Sequence, residues 1–114
     1  MKDVVGIAVP SDRLGVLQDV HWSGGMIGYF PTYTLGNLYS AQFFAQATKD
    51  VPRLIAGFRQ GKFAPLLNWL RANIHLQGKR HSADELAKRV TGSTLSSAPF
   101  LHYLEEKMAN LYDL

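Results

Sequence analysis

Along most of this chain apolar residues recur at three- and four-residue spacing, and no convincing stretch alternates with a period of two. That pattern predicts helices. After Pro31, the residues Leu35, Leu38, Tyr39, Phe43 and Ala47 predict a helix from about Thr32 to Thr48. Pro52 sits where a first-turn proline would, with Asp50 as cap, and opens a helix to about Gln60. Leu66, Leu67, Leu70 and Ile74 make the stripe of a helix from Phe63 to Gln77, with Gly78 just past its end as a C-cap. Ser82 and Glu85 have the spacing of a capping box and start a helix that stops at Gly92. The last helix begins near Ser97, with Pro99 in its first turn and Phe100, Leu101, Leu104, Met108 and Leu111 as its buried stripe. Upstream, Ser11-Asp12 offers caps for a short segment from Asp12 to about Val20, ending before Ser23-Gly24-Gly25. The expectation is an all-α chain of five or six helices, one helical region over residues 1–114. Phe43, Phe44, Phe58, Phe63 and Trp69 fall at helical spacing and read as core.

Composition narrows the class. The chain has 114 residues, the size of one domain or a piece of one, since domains mostly run to about 100–150 residues. With 46% hydrophobic and 18% charged residues it is globular in composition. There is no cysteine, which excludes a disulfide framework and any cysteine-ligated zinc or iron–sulfur site. No apolar run approaches the roughly 18–20 residues that cross a bilayer, and the N-terminus lacks a signal-peptide pattern. A cytoplasmic protein with no membrane partner is expected. The formal charge of +3 is a mild excess, and the densest basic cluster is Lys79-Arg80-His81. Nucleic-acid binders concentrate such residues on one face, so no nucleic-acid partner is expected, and this cluster reads as a solvated turn.

Chemistry concentrates in residues 15–36, GVLQDVHWSGGMIGYFPTYTLG. The segment holds Gln18, Asp19, His21, Trp22, Tyr29, Tyr33 and five glycines, a mixture that a surface helix does not require. Gly24-Gly25 and Gly28 permit positive φ or close approach of the backbone to another group. The tyrosines on either side of Phe30-Pro31 are placed to present two phenols to one cavity. The residues alone favour a plain turn between helices, with His21 and the aromatics as satisfied core groups. His75 and His81 flank Gly78 near a helix end, where histidine complements the dipole, and His102 reads as a surface residue.

Within that segment GVLQDVHW matches GxxQDxHW, and with SGGMIGYFPTYTLGNLYSAQ it resembles the C-terminal signature of the carboxypeptidase Taq family. These are largely helical zinc metallocarboxypeptidases that remove C-terminal residues from peptides. The similarity continues through WLRANIHLQGKRHSADELAKRVTGSTLSSAPFLHYLEEKMANLY and so covers nearly the whole chain. Met26-Ile27 stands where family members tend to have a small residue followed by Phe, a difference of packing more than of chemistry. By this resemblance the chain is the C-terminal part of a larger, mostly helical, zincin-like metallopeptidase: a fragment, a truncated gene product or one piece of a split chain.

The resemblance carries further expectations. Family members are several times longer and bind zinc through a His-Glu-x-x-His helix and a later Glu. Here the histidines stand at positions 21, 75, 81 and 102 and form no such motif, so no metal ligand is expected in this chain and the chain alone is expected to be inactive. In the complete enzyme, zinc and a peptide substrate are implied, with the missing N-terminal part as partner and a homodimer as the usual assembly. Negative charge developing on the scissile carbonyl oxygen calls for donors placed there. The resemblance makes His21 and Tyr29 the first candidates for oxyanion or substrate contacts and Tyr33 the second. Gln18, Asp19, Gly24 and Gly25 are implied in the substrate-binding wall, with Asp19 a candidate for orienting a neighbouring side chain. The contrasting functional class is a free-standing, non-catalytic helical module that binds a protein partner or an anionic surface.

Overall fold

The computed structural model describes residues 2–113. Among them there are seven α-helical segments and no strand: α1 (Lys2–Val5), α2 (Val20–Ser23), α3 (Pro31–Asp50), α4 (Leu54–Phe58), α5 (Ala64–Asn73), α6 (Ala83–Thr91) and α7 (Ala98–Tyr112). Three short 3₁₀ turns, Asp12–Leu14, Val16–Gln18 and His75–Gln77, complete the helical content. The chain divides into two compact units, one ending at Thr34 and the other beginning at Leu35.

In the second unit the core is small. Ala47 of α3, Leu54 of α4 and Trp69 of α5 are buried together, with Phe43, Val51, Phe58, Leu66, Leu70, Ile74 and Val90 packed around them. The indole N–H of Trp69 donates to Asp50 Oδ2 at 2.8 Å, which satisfies the polar end of an otherwise buried aromatic. Asp50 also accepts from Gln46 at 2.8 Å. It is therefore the last residue of α3 and not the expected cap of the next helix. That helix starts two residues after Pro52, behind Arg53, whose φ of 62° breaks the helical path.

Glycine and side-chain caps set the remaining boundaries. The expected helix to Gln77 ends at Asn73, where the Asn73 side chain donates to the Trp69 carbonyl at 2.9 Å and competes with the backbone ladder. A 3₁₀ turn then leads to Gly78 at φ 55°. The Ser82–Glu85 capping box is formed in both directions: Ser82 N–H donates to Glu85 Oε2 at 2.8 Å, and Glu85 N–H donates to Ser82 Oγ at 3.3 Å. These bonds hold the Glu85 carboxyl below its ordinary pKa, the Ser82 backbone N–H contributing most. Gly92 at φ 81° ends α6. Tyr39 of α3 donates to Asp84 Oδ1 at 2.6 Å, which ties α3 to α6 and raises the phenol pKa.

Among the described residues one polar side chain is deeply buried. Gln42 of α3 is 4% exposed. Its Nε2 lies 2.9 Å from Thr91 Oγ1, 3.1 Å from Ser93 Oγ, 3.3 Å from the Ser93 carbonyl and 3.1 Å from the Thr94 carbonyl. Its Oε1 accepts from Ser96 N–H at 2.9 Å. A single glutamine thus holds the whole connection between α6 and α7.

The apolar face of α7 is not the continuous buried stripe that its spacing predicts. Phe100 and Leu104 are partly buried, but Leu101, Met108 and Leu111 stand exposed because no described residue packs over them. Phe44 and Phe63 are exposed in the same way, although their rings join Phe58 in a stack with centroids 6.2 and 5.5 Å apart. Between α3 and α7 lies a groove of about 750 Å³, lined by Ala41, Phe44, Ala45, Ile55, Pro99 and Phe100, with polar groups at its edge.

Candidate active site

The first unit contains the Gly-rich segment, and its backbone is more broken than the predicted short helix. Ser11 Oγ accepts from Leu14 N–H and starts a 3₁₀ turn. Gly15 (φ −127°, ψ −113°) ends it, at a position where a Cβ would collide with Val9. A second 3₁₀ turn, Val16–Gln18, leads to Asp19, which is extended and caps α2. The expected continuous helix to Val20 is thus two turns and a cap.

Asp19 uses one oxygen twice. Its Oδ1 accepts from the His21 backbone N–H at 2.8 Å and lies 2.7 Å from His21 Nδ1. The backbone N–H, first, and then the imidazole hold the Asp19 carboxyl below its ordinary pKa, because hydrogen bonds to the charged form favour it. On the far side of the ring, His21 Nε2 lies 2.8 Å from Tyr33 Oη.

The turns that bring Tyr33 back to a residue twelve positions earlier depend on glycine. Gly24 N–H bonds to the Val20 carbonyl at 2.9 Å, and a Cβ at Gly24 would stand 3.3 Å from that same oxygen. Gly25 and Gly28 adopt φ of 69° and 81°, the left-handed region that other residues enter at a cost. Met26 N–H returns to the His21 carbonyl at 2.8 Å. Thr32 donates both its N–H and its hydroxyl to the Tyr29 carbonyl, and Pro31 opens α3 with Tyr33 in its first turn.

The result is an imidazole in an aromatic box. Tyr29 stacks on His21 with centroids 5.6 Å apart and planes 27° apart. Phe30 lies at 4.9 Å, and the Tyr33 ring is edge-on at 5.8 Å. Trp22 packs on Phe30 at 5.5 Å. The His21 side chain is 20% exposed, whereas the two tyrosines are about half exposed. The Tyr29 hydroxyl has no hydrogen-bond partner among the described residues. A polar, oriented centre is therefore rimmed by two phenols that reach solvent, one engaged with the histidine and one without a partner among the described residues.

Of the residues singled out in the sequence, Asp19, His21, Tyr29 and Tyr33 come together, and Gly24 and Gly25 form the turn between them. Gln18 does not join them: its Nε2 donates to the Arg13 carbonyl at 2.6 Å and braces the preceding turns. The direct pairing of His21 with Tyr33 was not legible in the spacing, but Asp-x-His is itself the spacing of an N-cap and its second helical residue, a signal for the Asp19 contact. Among the described residues no three His, Asp or Glu side chains are grouped to hold a metal ion. Of the other histidines, His102 is exposed and 3.6 Å from Glu106.

Comparison with known proteins shows the family of the chain. The carboxypeptidase Taq (M32) metallopeptidase family model matches residues 1–108. Thermostable carboxypeptidase 1 of Thermus thermophilus is 52% identical over 111 residues, which are 97% of this chain and 22% of that protein. Carboxypeptidase 1 of Bacillus subtilis is 40% identical over the same share of each. Among solved structures, the M32 carboxypeptidase of Deinococcus radiodurans superposes with a TM-score of 0.88 at 43% identity, covering 99% of this chain and 23% of that one. The chain thus spans about a fifth of the length of these relatives. A match that covers nearly every residue here, in sequence and in fold, means that this chain belongs to the carboxypeptidase Taq family of metallopeptidases.

Proposed function

We propose that this chain acts as the C-terminal part of a metallocarboxypeptidase and supplies one wall of the cleft that holds the peptide substrate. The observation that carries this reading is the line Asp19–His21–Tyr33 with Tyr29 stacked beside it, half exposed, in a segment shared with relatives named as carboxypeptidases. The described residues make no metal site. Zinc belongs, in this proposal, to ligands supplied by the rest of the enzyme, and the chain alone does not cleave peptides.

What these residues do is bind and polarise. Acyl transfer develops negative charge on the scissile carbonyl oxygen, and a fixed donor at that oxygen is worth roughly a hundred- to thousand-fold in rate. Tyr29 suits this task, because a phenol carries an O–H donor and its hydroxyl has no partner among the described residues. His21 and Tyr33 form the adjoining polar edge. Gly24 and Gly25, without side chains, let the strand of substrate pass close to the backbone. The exposed apolar face along α3 and α7 is, in the same reading, where the remaining four-fifths of the enzyme or a second copy of the chain packs.

A chimera tests the proposal. The 111 matching residues of the Thermus thermophilus enzyme are replaced by those of this chain, and release of the C-terminal residue from a peptide is followed. The chimera is expected to cleave. Tyr29→Phe is expected to lower kcat by roughly a hundredfold or more with little change in KM, as for a donor used only in the transition state. An active chimera in which Tyr29→Phe and His21→Ala both keep kcat within about threefold would refute the assignment.

A further inference from the structure

We propose that Asp19 is a positioning residue that fixes the direction of the hydrogen-bonded line Asp19–His21–Tyr33 and thereby gives the two tyrosines opposite tasks. A carboxylate only accepts hydrogen bonds. Asp19 Oδ1 stands 2.7 Å from His21 Nδ1, so that nitrogen carries the hydrogen. In the neutral ring Nε2 is then the acceptor, and the atom 2.8 Å away that supplies a proton is the Tyr33 hydroxyl. Tyr33 has one hydrogen, and His21 takes it. Only its oxygen lone pairs face outward, so toward a peptide it accepts a hydrogen bond from a backbone N–H. Tyr29, whose hydroxyl has no partner among the described residues, is left as the phenol that donates.

The ionisable groups set against the imidazole by the described contacts are Asp19, Tyr29 and Tyr33. Asp19 is the one of them whose charged form can only accept, which places the hydrogen at the Nδ1 side. The same oxygen also caps α2 through the His21 backbone N–H at 2.8 Å. The cap therefore fixes both the position of the ring and its tautomer, and the carboxylate need not touch substrate to matter.

The direction of the line is tested on this chain itself, so it stands or falls apart from peptidase activity; the division of labour between the tyrosines rests on the function proposed above. Nitrogen-15 NMR of the histidine rings at about pH 8.5, where an ordinary histidine is neutral, is expected to show His21 Nδ1 protonated and Nε2 bare. A bare Nδ1, or both nitrogens protonated, would overturn the proposal. Asp19→Ala is expected to shift the ring to the Nε2–H form, and Asp19→Asn, whose amide oxygen still accepts both bonds, to restore the Nδ1–H form. Retention of Nδ1–H in Asp19→Ala overturns the role of Asp19. Should Asp19→Ala fail to fold, Tyr33→Phe answers separately: the Nε2 resonance moves on losing its hydrogen bond while Nδ1 stays protonated, and an unmoved Nε2 refutes the line. In the active chimera, Asp19→Ala is expected to lower kcat/KM at least tenfold and Asp19→Asn to recover most of it.

Discussion

Gln42 offers the sharpest test of how this fold is held. Replacing it by alanine removes a side chain that is 4% exposed and braces the α6–α7 connection at five atoms. Nε2 has two hydrogens, so it serves two of its four neighbouring oxygens at once, and Oε1 takes a third bond from Ser96 N–H. Three bonds at about 1 kcal/mol each set a gross loss of roughly 3 kcal/mol. Part returns because Ser93 and Thr94 are exposed and water reaches their carbonyls. The expected destabilisation is about 2–3 kcal/mol, a large share of a total that for a domain of this size is about 5–15 kcal/mol. Urea unfolding followed by far-ultraviolet circular dichroism measures it, and amide exchange at Ser96 localises it. Gln42→Glu sharpens the argument: at pH 7 it sets a carboxylate oxygen among the oxygens of Thr91, Ser93 and Thr94 with no proton to offer. It should lose at least as much as alanine and regain stability as pH falls and the carboxyl becomes a donor. A loss under about 0.5 kcal/mol in Gln42→Ala, with Ser96 exchange unchanged, would refute the reasoning.

Other expectations follow from the same bonds. Ser82→Ala should cost about 1 kcal/mol by opening the capping box, read as lost helicity of α6 in urea titrations. The lowered pKa of Glu85 gives stability that is present above the ordinary carboxylate range and lost as pH falls through the folded value, so Glu85→Gln should flatten the acid limb of the stability curve. The raised pKa of Tyr39 acts oppositely. Its contribution is present below the ordinary phenol value, near about 10, and lost as pH rises through the folded one, so Tyr39→Phe should remove that part of the alkaline loss, with phenolate absorbance reporting the titration.

Helix positions were legible wherever a residue acts on its own backbone. The Ser82–Glu85 box, Gly78, Gly92 and Pro99 are local devices, and the helices they bound lie within a few residues of where their spacing puts them. The errors fall where a side chain makes a contact that the apolar spacing does not show. Asp50 looks like a cap, but the Trp69 indole takes it. Asn73 ends α5 with its side chain on the Trp69 carbonyl, and the first segment breaks at Gly15, where a side chain would collide with Val9. The stripe of α7 has the spacing of a buried face, yet the partner such a stripe needs is not among the described residues. In the site, the Gly-rich turn with His21 and its tyrosines stood out in the sequence, as did its family likeness. Which phenol meets which ring nitrogen did not.

Sequence alone determined that this chain is helical, where most of its helices begin and end, and that residues 15–36 carry the signature of a carboxypeptidase Taq family member, since periodicity, caps and contiguous motifs are all local in the chain. Only the tertiary structure decided that Asp19, His21 and Tyr33 form one hydrogen-bonded line, that Tyr29 stacks beside it, and that Gln42 clamps a connection some fifty positions away. Those contacts depend on left-handed glycine turns and on helices brought side by side. A hydrogen bond between distant residues exists only once the chain has folded to bring donor and acceptor within reach.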